Sequence, residues 1–82
     1  MSVRRIDDRT IALEGVCPLD DAEPLLQLLL DHPAPALDWR ACSGAHTGVI
    51  QVLLAANPVL IGPPQDPFLA GFVAPALGRV VR

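Results

Sequence analysis

The chain is 82 residues long and carries a formal charge of −3, from six basic and nine acidic side chains. That length holds one domain, residues 1–82, and excludes a two-domain enzyme, because a single core normally takes about 100 to 200 residues. The six basic residues are all Arg and form no basic stripe to neutralise phosphates, which sets nucleic-acid binding aside.

The 51% hydrophobic content is high for so short a chain, so part of that apolar surface is expected to face a partner. The absence of Lys beside abundant Ala, Leu, Pro and Arg suggests a GC-rich bacterial genome. Residues 1–8 lack the apolar core of a secretory signal, and no window approaches the roughly 18 apolar residues that span a bilayer, so a cytoplasmic protein without direct membrane insertion is expected.

In chain order, residues 3–6 and 10–16 are short β-compatible runs separated by Asp7-Asp8-Arg9, which predicts a hairpin. Asp20 stands three before Glu23, a capping-box spacing, and Ala22, Leu25, Leu26, Leu29 and Leu30 follow at helical intervals. A helix over 20–31 is predicted, with His32-Pro33 closing it. Residues 36–39 read as a buried strand and the small residues 41–45 as a loop. A second helix begins near His46-Thr47 and ends at Asn57-Pro58, apolar on nearly every side. Residues 59–61 form a last short strand. Asp66-Pro67 then supplies an N-cap followed by a proline at the first helical position. Phe68, Leu69, Phe72 and Val73 have the spacing of one buried stripe, while Gly71, Pro75 and Gly78 bend or fray that third helix.

The order ββαβαβα predicts an α/β fold, a small mixed sheet with a parallel centre and a β-hairpin edge. The carboxyl ends of parallel strands are where function collects, and there the sequence places Cys42-Ser43-Gly44-Ala45-His46-Thr47-Gly48. Thr47 or Ser43 can serve as an N-cap, and an oxygen acceptor or an added phosphate is favoured at the same point. Cys42 and His46 make neither a catalytic centre nor a metal site: no third orienting group is identifiable, and two ligands leave half of a zinc shell unfilled. Cys17 and Cys42 read as buried free thiols. His32 is assigned to the dipole at a helix C-terminus. Asp7, Asp8, Asp20, Asp21 and Glu23 are assigned to solvated turns and a first helical turn. No cofactor fingerprint is present.

Residues 38–54, Asp38-Trp39-Arg40-Ala41-Cys42-Ser43-Gly44-Ala45-His46-Thr47-Gly48 followed by an apolar helix, resemble the signature of STAS domains, the sulfate-transporter and anti-sigma-factor-antagonist family. The strand at Ile11–Val16 and the helix that follows it extend the resemblance over about residues 3 to 62. It implies a non-enzymatic cytoplasmic regulator that docks on a protein partner through Ser43, Gly44, His46, Thr47 and Gly48, with Gln51 on the exposed side of the 47–56 helix. Thr47 matches the hydroxyl residue that a partner kinase phosphorylates in anti-sigma-factor antagonists. The Thr47-Gly48 pair is also similar to the small STAS subunit of phospholipid-trafficking ABC transporters, which binds the transporter ATPase. His46 stands where most members have Asp, and Val49 where they have Gly. A domain that keeps docking without the switch is one alternative. A small self-associating protein, a homodimer, is another.

Overall fold

The computed structural model describes residues 2–31 and 35–77, together with the backbone of 80–81. The chain opens on a hairpin, β1 (Val3–Arg5) and β2 (Thr10–Cys17). Asp7 makes the turn, its Oδ1 accepting the backbone N–H groups of Arg9 at 2.9 Å and Thr10 at 2.8 Å. Those two bonds hold the Asp7 carboxyl below its ordinary value, the Arg9 N–H contributing most.

A 3₁₀ turn, Leu19–Asp21, leads into α1 (Ala22–Leu30). The capping box expected from Asp20 and Glu23 does not form. The chain enters through Pro18 into the tight turn, Asp21 occupies the N-cap of α1, and neither position carries a side-chain cap. Leu25 and Leu29 face the core, whereas Leu30, assigned by spacing to the same stripe, is exposed. The closing residues His32 and Pro33 lie outside the described residues.

β3 runs over Ala36–Ala45, through the stretch that composition assigned to a loop. The register explains the difference. Ala12 pairs with Asp38 but Glu14 with Ala41, and Gly15 pairs with Cys42 but Val16 with Gly44, so β3 holds two residues more than β2. The first bulge reverses the alternation, placing Leu37, Trp39 and Cys42 inward while Arg40 and Ala41 both face out. A strict period of two misses such a strand. Opposite the bulges, Gly15 takes a φ of +68°, a conformation that L side chains rarely adopt.

α2 (Thr47–Ala56) follows after a single residue and ends on Asn57 in the left-handed region. β4 (Val59–Ile61) comes next. Asp66 then caps the last helical segment as expected, its Oδ2 accepting the N–H of Leu69 at 3.0 Å. Residues 69–73 form a π-helical turn closed by Ala74 N–H to Leu69 O, and α3 is Ala74–Leu77. Pro75 has no N–H to offer the Gly71 carbonyl, so the helix widens where an α turn is denied. The expected four-residue stripe is halved: Leu69 and Val73 are buried, but Phe68 and Phe72 are exposed and stack on each other at 5.6 Å.

A short β5 (Val80–Val81), absent from the sequence-based order, completes a five-stranded sheet in the order β1-β2-β3-β4-β5. β1 and β2 are antiparallel and the remaining pairs parallel, as expected for a hairpin edge on a parallel centre. The inward residues of β2, β3 and β4 join Leu25, Leu29, Val49, Leu53, Leu69, Val73 and Leu77 in one core cluster, so the helices share one face of the sheet. Each Leu so covered contributes about 1.5 to 3 kcal/mol. The other face carries charge instead. Among the described residues, no helix is long and apolar enough to cross a membrane.

Candidate functional site

Two sequence elements meet at the carboxyl ends of the central strands. β2 ends on Val16 and Cys17, β3 ends on Ser43 to Ala45, and the backbone N–H of His46 donates to the Cys17 carbonyl at 2.8 Å, fastening the start of α2 to the end of β2. Ser43 and Gly44 therefore belong to a strand and not to a flexible loop, with Ser43 the extra residue of the second bulge.

His46 is the N-cap of α2. Its Nδ1 accepts the N–H of Gly48 at 2.9 Å, the duty that the sequence assigned to Thr47 or Ser43. That bond needs a lone pair on Nδ1, which a protonated imidazole lacks. Relieved of capping, Thr47 occupies the first helical position with its side chain exposed, and Gln51, one turn further along, is exposed as well. Ser43 is exposed and Gly44 and Gly48 are half-buried, so the predicted site residues do come together on one rim.

Two apolar side chains border that rim and were not singled out from the sequence. A Cβ on Gly44 would meet the Val16 methyls at 3.8 Å, and one on Gly48 would collide with Leu19 Cδ1. Val16 is 69% exposed and Leu19 54% exposed. The signal was available only through topology, because parallel pairing of β2 with β3 is what carries residues 16 to 19 beside residues 43 to 48.

Behind the rim lie the two free thiols, both without solvent exposure. Cys42 Sγ donates to the Gly44 carbonyl at 3.3 Å. The neighbouring Cys42 thiol and burial push the Cys17 thiol well up. The Cys17 thiol in turn pulls Cys42 down to about 7, against its own burial. Asp21, 4% exposed, adds its charge to the forces raising Cys17 and leaves Oδ2 without a hydrogen-bond partner. Cys42 and His46 are not a nucleophile and base: the thiol points into the core, while the exposed ring is committed to Gly48. Among the described residues, no three His, Cys, Asp or Glu side chains form a group that could hold a metal ion.

An open depression of about 400 Å³ lies on the helix-free face, lined by Arg4, Ile6, Ala12, Glu14, Asp38 and Arg40 among others. Its charges are already matched in two pairs, Arg4 with Glu14 at 2.8 Å and Arg40 with Asp38 at 2.8 Å. Each carboxyl sits below its ordinary value, chiefly through its guanidinium partner. Comparison of the chain with family models, curated proteins and solved structures finds no match in any of the three.

Proposed function

We propose that the chain is a non-enzymatic, cytoplasmic protein–protein interaction module that docks through the rim formed by Ser43, Gly44, His46, Thr47, Gly48 and Gln51. The observation that carries this reading is an exposed threonine at a strand-to-helix junction, flanked by Val16 and Leu19 in solvent. Apolar side chains beside a polar rim are what a partner surface covers. The resemblance to STAS domains makes a kinase-like anti-sigma factor the first partner to test, and the Thr47-Gly48 pair makes a transporter ATPase the second.

In this reading Thr47 is the switch. A phosphate there lies at the positive end of the α2 dipole, but it brings charge and bulk onto the docking face and opposes association. Affinity capture from the native cell extract with wild-type, Thr47→Ala and Thr47→Glu baits tests this. One partner retained by wild type and Thr47→Ala, and weakened tenfold or more by Thr47→Glu, is the expected result. Equal capture by all three discards the switch.

Self-association is the second reading, favoured by Leu30, Leu54, Phe68 and Phe72 exposed on the helical layer. Sedimentation at dilute micromolar concentration separates the two, since an obligate dimer stays paired.

A further inference from the structure

We propose that His46 makes the docking rim pH-sensitive: its neutral ring latches the first turn of α2, and a proton on Nδ1 releases the Gly48 N–H and loosens that turn. As a control on docking this rests on the reading above, whereas the latch itself does not.

The lone pair of Nδ1 is committed to the Gly48 N–H at 2.9 Å, so the neutral ring carries its own proton on Nε2. Gly48 is the second residue of α2, and its amide is one of the four at a helix start that have no carbonyl within the helix. Protonation turns the acceptor into a donor. One N–H then faces another, and the added charge stands at the positive end of the α2 dipole, where no acidic residue of the first turn offsets it. Both effects disfavour the capped state.

The loosening stays local. The His46 carbonyl keeps the N–H groups of Val49 at 2.9 Å and Ile50 at 3.1 Å, and the His46 N–H keeps the Cys17 carbonyl at 2.8 Å, so the remainder of α2 and its tie to β2 do not depend on the ring. What changes is the setting of Thr47 and Gly48. Both belong to the rim, and Gly48 is the residue against which Leu19 lies. The ring is exposed, so a proton reaches it without any opening of the fold. On the elements packed around this junction the titratable groups are Asp20 and Asp21 of the 3₁₀ turn, Glu23 and Asp31 of α1, and the Cys17 and Cys42 thiols at the strand ends. The carboxylates favour a charged ring, but among the described residues none forms an ion pair with it, and the thiols are closed to solvent.

Nitrogen NMR of the ring and paired unfolding measurements test the latch. At about pH 8 the His46 ring is expected to show a bare Nδ1, a proton on Nε2 and a scalar coupling across the bond to the Gly48 nitrogen, and at about pH 5 that coupling is expected to be lost. The comparison protein is His46→Asn, whose amide oxygen is a cap that does not titrate; His32 is common to both and cancels. A cap made only by the neutral ring stabilises the fold above the imidazole range and is lost as the pH falls through it, so between about pH 8 and 5 the ratio of the two unfolding constants should move about fivefold against wild type. A neutral ring protonated on Nδ1, a coupling that survives at the lower pH, or a ratio that stays constant would each overturn the proposal. If His46→Asn does not fold, the tautomer and the coupling in wild type decide. No readout involves a partner, so a failure of the docking reading is recognised separately.

Discussion

Leu19 lies across Gly48 so closely that a Cβ on residue 48 would stand 2.6 Å from Leu19 Cδ1. The contact joins the 3₁₀ turn before α1 to the first turn of α2, and it is the free end of a half-exposed side chain that must give way.

Gly48→Ala is therefore expected to separate stability from docking. The displaced Leu19 methyl can swing into solvent, and alanine is the better helix former by about 1 kcal/mol, so the unfolding free energy should change by less than about 1 kcal/mol in either direction. Partner capture should nonetheless fall, because the apolar border of the rim has moved. Denaturant unfolding and capture on the same preparation check both halves. Unchanged capture would remove Leu19 from the docking surface.

How much of this was legible in advance differs from element to element. The hairpin, the α2 helix with its Asn57-Pro58 end, and the Asp66-Pro67 cap follow from local chemistry, and the structure has them where the sequence puts them. The continuation of β3 through Ala41–Ala45 does not, because two bulges break the period of two that identifies a strand. His46 as the cap of α2 was hidden for a similar reason: hydroxyl and carboxyl side chains are the usual caps, and an imidazole Nδ1 does the same work only in the right ring orientation. The placing of Val16 and Leu19 beside the rim depends on how β2 pairs with β3, which composition and spacing do not encode.

The last helix offers a direct measure of one such misreading. Phe68, Leu69, Phe72 and Val73 share a spacing, yet only Leu69 and Val73 are covered. Leu69→Ala should cost about 2 to 5 kcal/mol, as removal of a buried branched side chain does, whereas Phe72→Ala should cost less than about 1 kcal/mol despite deleting the larger group. Phe72 loses only its stacking on Phe68 and some shallow contact. Urea denaturation of the two variants beside wild type decides this. A Phe72 loss as large as that of Leu69 would mean that the helix rotates its aromatic pair inward, or that a second copy covers it.

The charged face of the sheet gives a pH dependence whose sign is fixed by Asp38. The Arg40 guanidinium donates to it through Nε at 3.0 Å and a terminal nitrogen at 2.8 Å, and the Arg40 backbone N–H adds a third bond at 3.1 Å. These hold the Asp38 carboxyl below its ordinary value, the guanidinium contributing most and partial burial opposing it. A carboxyl depressed by folding stabilises the native state above its unfolded value of about 3.9, and that contribution is lost as the pH falls through the lower, folded value. Arg40→Gln should thus be less stable than wild type at neutral pH. The difference should be small because the arginine is exposed, and it should shrink further in high salt. On acidification through the lowered, folded value the two curves should converge, since a protonated Asp38 gains little from the guanidinium in either protein. Unfolding free energies measured across that pH range test the sign. A gap that stays constant at every pH would assign the role of Arg40 to the packing of its aliphatic stem over the depression and not to its charge.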